Sequence, residues 1–257
     1  MFQELRELKK GAAVIIGGSG GLGIEISRSF ARVGSAVAFN YHQRAQRAEA
    51  LHSELADAGA RALMRQADLA DVGSIRALFD AAEQQFGSIH TVVYASGPTV
   101  RISAIADLPP EEWAGIVNAD VNGFFNLVHV AIPALRRSRG SLVALSTAGT
   151  RRFPPLDVMS AGPKASVEML VQGIAREEGR NGIRANCVGV GHIDAGQGLT
   201  IQQDPRGKRL AERVLAATPL RRLGTAADIA NAVLFFASPM ASFISGEMLC
   251  VDGGGHV

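Results

Sequence analysis

Seven short apolar runs constrain this chain more than any other feature. They are Ala12 to Ile16, Ala36 to Phe39, Ala62 to Arg65, Thr91 to Ala95, Ser141 to Leu145, Arg184 to Val188 and Met248 to Val251. The runs are rich in β-branched residues and show no apolar/polar alternation, so they suit strands buried on both faces. Helix-period segments separate them, at Leu22 to Arg32, Gln46 to Ala58, Val72 to Phe86, Glu111 to Leu135, Lys164 to Glu178 and Ala226 to Ala237. Strands alternating with crossover helices predict an α/β, doubly wound parallel sheet of about seven strands, a Rossmann fold. No Pro- or Ser-rich linker divides the chain, and 257 residues with 47% apolar content can bury one large core, so residues 1–257 read as a single domain.

Charge excludes some function classes. The formal net charge is only +2, and the densest basic stretches, Arg136 to Arg139 and Arg221 to Arg222, are too short for a nucleic-acid footprint and read as helix ends. The first residues, MFQELRELKK, lack an apolar signal core, and no run reaches membrane-span length, which predicts a soluble, cytoplasmic protein without a membrane partner. Cys187 and Cys250 lie in strand-like surroundings without metal-ligand spacing and read as buried, inert thiols. The polar, Gly-containing stretch Gly196 to Lys208 is expected to be mobile and to close over a ligand at the carboxyl ends of the strands.

After the first run comes IGGSGGLG, residues 16–23, with glycines at 17, 21 and 23. Such a turn lets the backbone approach a pyrophosphate, and the free amides at the helix start bind its charge. A tight strand-to-helix turn without a ligand produces the same pattern. If the site takes a dinucleotide, the residue at the end of the second strand, near Asn40, faces the adenosine ribose. No Asp or Glu occurs between Ser35 and Ala48, while His42, Arg44 and Arg47 follow, which favours NADP(H) over NAD(H); exposed residues at a helix start are the alternative. Asp68 ends the third strand and is placed either for the adenine amino group or as a helix N-cap.

With these motifs in view, the chain resembles the short-chain dehydrogenase/reductase family along essentially its whole length. TPLRRLGTAADIANAVLFFASPMASFISGEMLCVDGG, residues 218–254, is similar to the family's last helix and strand, and NGIRANCVGVGHIDAG, residues 181–196, to the strand and turn that pass the nicotinamide. The glycine turn resembles TGxxxGxG with Ile16 for Thr, and Asp68-Leu69 resembles the adenine-site pair. The resemblance implies a cofactor site at Gly17, Ser19, Gly21, Leu22, Gly23, Asn40, Arg44, Asp68, Leu69, Ala95, Gly97, Lys164, Gly191 and Ile193. It also implies hydride transfer to a carbonyl or activated alkene, with a Ser polarising the substrate oxygen, a Tyr supplying the proton, a Lys on the ribose, and an Asn completing a water relay. Ser146 matches that Ser and Lys164 that Lys. A homotetramer, assembled through Glu111 to Leu135, Lys164 to Glu178 and the last strand, is implied as well.

The tyrosine is absent. Its two anchors disagree: four residues before Lys164 stands Ser160, and thirteen after Ser146 stands Met159. A branch of enoyl-thioester reductases places its Tyr seven residues before the Lys, and in that register the acid position is Asp157. The NNAG after the fourth strand is YASG, residues 94–97; the relay Asn is Asp120; the Thr for the carboxamide is Ala195; and Val190 precedes Gly191 in place of Pro. Lys164 is expected to favour the ionised form of Asp157. An exposed loop carboxylate or helix cap is the other reading of Asp157. Tyr94, at a strand end, is a second candidate acid; its alternative is packing against the adenosine side. Three functions fit: an NADP(H)-dependent reductase of a carbonyl or enoyl group on a small or acyl-thioester substrate, with an altered donor; a degenerate member that binds NADP(H) without turnover, as a sensor or silent subunit; and a purely structural protein.

Overall fold

The computed structural model describes residues 5–196 and 205–257. Seven strands form one all-parallel sheet: β1 (Ala12–Ile16), β2 (Ala36–Tyr41), β3 (Ala62–Gln66), β4 (Ile89–Tyr94), β5 (Ser141–Thr147), β6 (Arg184–Val190) and β7 (Met248–Val251). Their order is β3-β2-β1-β4-β5-β6-β7, so the winding reverses between β1 and β4. Ligands of open α/β sheets bind in the crevice above such a switch point. Each expected strand forms, and most run one or two residues further than the apolar runs because the extensions carry cleft residues.

Both faces of the sheet are covered. Val14, Ile16, Val92, Tyr94 and Ala144 pack on one face against α3 (Val72–Phe86), α5 (Gly123–Ser138) and α6 (Val158–Glu178). Ala13, Ile15, Phe39, Val93 and Val143 pack on the other against α1 (Gly23–Arg32), α2 (Ala45–Asp57) and α8 (Ala226–Ala237). This two-sided burial is why the strands read as unbroken apolar runs.

Some expectations need correction. The helix expected over Glu111 to Leu135 is α4 (Pro110–Val117), one π-turn (Asn118–Asn122) and then α5. The helix expected to start at Lys164 starts at Val158, tolerating Pro163 one turn inside. Of the stretch expected to be mobile, residues 197–204 lie outside the described residues, while Pro205 to Lys208 open a further helix, α7 (Pro205–Ala217). The basic pair ending α5 is anchored to acidic partners: Arg136 chelates Glu178 at 2.6 and 2.7 Å, and Arg137 meets Glu83 at 2.5 Å. Cys187 is buried, with its thiol pushed up to about 12 by burial, whereas Cys250 is half-exposed. No helix among the described residues is long and apolar enough to cross a membrane.

Candidate active site

The glycine turn joins β1 to α1 at the switch point. Gly17 takes φ +79°, and a Cβ there would come within 2.8 Å of the Ala95 carbonyl, so only glycine lets β1 and β4 end this close together. A Cβ on Gly23 would collide with the Gly17 carbonyl. Among the described residues the amides of Ser19, Gly21 and Leu22 have no acceptor within the protein. Open amides at a helix start form an anion site, so the turn fits a pyrophosphate. The backbone of Gly196 passes directly over Gly21, which brings the segment after β6 across the same turn.

Asn40 does not offer its side chain to a ribose. Its Oδ1 accepts from the Gly17 amide at 2.7 Å and its Nδ2 donates to the Ala67 carbonyl at 2.9 Å, so it ties the turn to the ends of β2 and β3. Arg44 is exposed beside it at the start of α2, and His42 lies 3.4 Å from Asp68. The alternative of Asp68 as helix cap is excluded: Asp71 caps α3 by accepting from Gly73, while Asp68 accepts from Ala70 at 2.9 Å and keeps a half-exposed carboxylate at the cleft. Leu69 packs on Gly123. At the far side, Gly191 lies so close to Asp252 that a Cβ would come within 2.5 Å of its Cα, and buried Ile193 pairs with Gly224. These contacts fix the strand and turn after β6.

The remaining candidates meet at the ends of β4 and β5 and the start of α6. Lys164 Nζ donates to Asp120 Oδ1 at 2.8 Å and to the Ser96 carbonyl at 3.2 Å, next to Gly97, and lies 4.7 Å from the centre of the Tyr94 ring. The Tyr94 hydroxyl donates to the same Asp120 oxygen at 2.6 Å. Asp120 stands in the π-turn, which directs it inward, and is buried. Tyr94 is fully buried against Phe124, and burial, then the Asp120 carboxylate, raises its pKa well above the phenol range. Its hydroxyl is committed to Asp120, and its ring packs towards α5.

Ser146 is buried, and its hydroxyl donates to Glu168 Oε1, which also accepts from Thr150 at 2.7 Å. A hydroxyl has one proton to give, so Ser146 in this arrangement does not polarise a substrate oxygen. Sequence reasoning missed Glu168. Its signal is a carboxylate four residues after Lys164, on the buried face of α6.

Asp157 is the residue before α6. Its carbonyl accepts from the Ser160 and Ala161 amides at 3.0 and 2.9 Å, but its side chain caps nothing. The carboxyl lies over Gly149 in the turn after β5, half-buried and without a hydrogen-bond partner among the described residues. Burial raises its pKa to about 6, the only cause of the shift. Lys164, whose ammonium is paired with Asp120, is not among the causes of that shift. Met159 is buried, and Ser160 is half-buried one turn before Lys164. No group of three or more metal-ligating side chains forms among the described residues.

The family model described as enoyl-(acyl carrier protein) reductase matches residues 17–256. The 3-oxoacyl-(acyl-carrier-protein) reductase FabG of Staphylococcus aureus is 32% identical over 244 residues, covering 95% of this chain and 97% of its own. An NADPH-dependent aldehyde reductase-like protein of Arabidopsis thaliana is 30% identical over 254 residues, covering 94% and 93%. Among solved structures, a short-chain dehydrogenase from Burkholderia cenocepacia in complex with NADP superposes with a TM-score of 0.87 at 28% identity, covering 97% of this chain and 99% of its own.

Proposed function

The chain belongs to the short-chain dehydrogenase/reductase family, and on that premise we propose that it is an NADP(H)-dependent reductase of a carbonyl or enoyl group in a small or acyl-thioester substrate, with Asp157 as proton donor. The carrying observation is the Asp157 carboxyl, unpaired, desolvated and titrating at about 6. General acids work best with a pKa near the operating pH. The bound dinucleotide supplies a hydride. Ser19, Gly21 and Leu22 would offer their amides to its pyrophosphate, Arg44 its guanidinium to a 2'-phosphate, and Asp68 and Leu69 would stand at its adenine. Ala95 and Gly97 would border it, Lys164 would hold a ribose hydroxyl with its third donor, and Gly191 and Ile193 would stand beside the nicotinamide. Asp157 gives its proton to the reduced substrate and is reloaded from water as a carboxylate. The commitment of Ser146 to Glu168 supports an enoyl over a carbonyl acceptor, because hydride then adds to carbon and the resulting enolate needs only a proton.

The same Ser146–Glu168 bond supports a second reading, a member that binds NADP(H) without turnover. Oxidation of NADPH by the purified protein, measured against enoyl thioesters, β-ketoacyl thioesters and simple ketones, separates the two. The reductase reading predicts turnover that is greatest with an enoyl thioester. Saturable NADPH binding with no turnover on any of the three classes favours the second. For assembly, the outward Phe125 on α5, Met169 on α6 and Leu249 on β7 are 55%, 65% and 42% exposed, which supports a homotetramer through those elements.

A further inference from the structure

A tyrosine acid and a carboxylic acid make opposite demands on a neighbouring lysine. The phenol begins near 10 and must be lowered, which a bare ammonium does; the carboxyl begins near 4 and must be raised, which a bare ammonium opposes. Asp157 and Lys164 are seven residues apart, about 10 Å along α6 and on nearly the same face. At that separation an uncompensated ammonium lowers a carboxyl by about one pKa unit. In this structure the ammonium is compensated. Asp120 lies 2.8 Å from it, and the Tyr94 hydroxyl, 2.6 Å from the same oxygen, holds that carboxylate in place. Tyr94 and Asp120 are both departures from the family pattern, 26 residues apart in the chain, and they touch each other and Lys164.

We propose that Asp120, held by Tyr94, is a positioning residue whose charge cancels that of Lys164 and so lets the Asp157 carboxyl keep its proton. The inference rests on Asp157 as donor, and it makes the lost tyrosine, the changed NNAG and the changed relay residue one connected alteration. A buried carboxylate needs more than one donor, and an ammonium already directed at a backbone carbonyl supplies only one hydrogen to it. The phenol supplies the second, which ties the tyrosine at position 94 to the carboxylate at 120.

The other charged groups near Asp157 do not replace this arrangement. The turn packed against it carries Arg151 and Arg152, of which Arg152 donates to the Val257 carbonyl at 3.1 Å, and Thr150 of that turn binds Glu168. The segment paired with it at Ser103 follows Arg101, which chelates Glu112 at 2.7 and 2.9 Å. On its own helix the nearest charge is Lys164.

The test is a carbon-13 NMR titration of the Asp157 carboxyl in the protein without cofactor. The native midpoint is expected at about 6. Asp120→Asn should lower it by about one unit, and Asp120→Asn with Lys164→Met should restore it. Lys164→Gln, which leaves the Asp120 charge uncancelled, should raise it, and it carries the test if Asp120→Asn does not fold. An unchanged midpoint in folded Asp120→Asn or folded Lys164→Gln overturns the proposal, and so does a drop that persists in the double variant. Because the readout needs no turnover, shifts of these signs support the charge cancellation even in a protein that reduces nothing, where only the donor reading fails.

Discussion

At the β1–α1 turn the chain leaves the amides of Ser19, Gly21 and Leu22 open, and the side chains that reach it, Asn40 at the Gly17 amide and Ser27 at the Gly18 carbonyl, hold the turn's shape. At the ends of β4 and β5 the opposite holds. Tyr94, Asp120 and Lys164 close on one another, Ser146 closes on Glu168, and the Asp157 carboxyl has no hydrogen-bond partner among the described residues. The first region meets its ligand with backbone, which any sequence with the right glycines can supply. The second presents side chains, each held by its neighbours. On the proposed reading, proton donation is rebuilt there while the dinucleotide cradle stays as it is.

The largest effect should come from uncoupling the closed cluster. Lys164→Met leaves Asp120 buried without its ion pair and should cost about 3–5 kcal/mol in urea unfolding; adding Asp120→Asn should recover most of that loss. Equal losses in the single and double variants would mean that the two side chains do not act as a pair. In the cradle, Gly17→Ala forces a side chain into φ +79° and onto the Ala95 carbonyl. It should lower stability by about 2 kcal/mol and weaken NADPH binding at least tenfold, read by fluorescence titration.

Asp157 sharpens the contrast through pH. Burial pushes its pKa in the folded state up to about 6 from the ordinary carboxyl value of 3.8, so the folded state holds this proton more tightly. Stability then falls as pH rises from about 4 through 6, and the penalty is complete above that. Asp157→Asn should stabilise the protein by about 2 kcal/mol at pH 7.5 and leave it unchanged at pH 4, compared by denaturation at both values. A smaller effect tests cofactor choice: Arg44→Ala should weaken NADPH about tenfold and leave NADH unchanged, and equal losses for both would remove Arg44 from the 2'-phosphate.

The fold is legible because burial on both faces writes the five inner strands as apolar runs, and Val72–Phe86 and Ala226–Ala237 are readable to the residue. The end of α4 was not, since a π-turn costs no residue that marks it, and neither was α7, whose polar composition reads as loop. In the site, the glycines could be found by spacing and Lys164 by its resemblance to the family's lysine. The Tyr94–Asp120 and Ser146–Glu168 bonds could not, because each joins residues more than twenty apart that no local pattern links. Asn40 shows the same limit: the sequence places it at the end of β2, but what its amide bonds depends on Gly17 and Ala67, which only the folded sheet brings to it.

The most direct test of Asp157 as the proton donor is NADPH oxidation with an enoyl thioester across pH 5 to 9, native protein against Asp157→Asn, with NADPH affinity measured on both. The account predicts that Asp157→Asn binds NADPH as the native protein does, turns over about 10²- to 10⁴-fold more slowly, and loses the fall in rate that the native protein shows above pH 6. Equal turnover with the same pH profile in both proteins would contradict it.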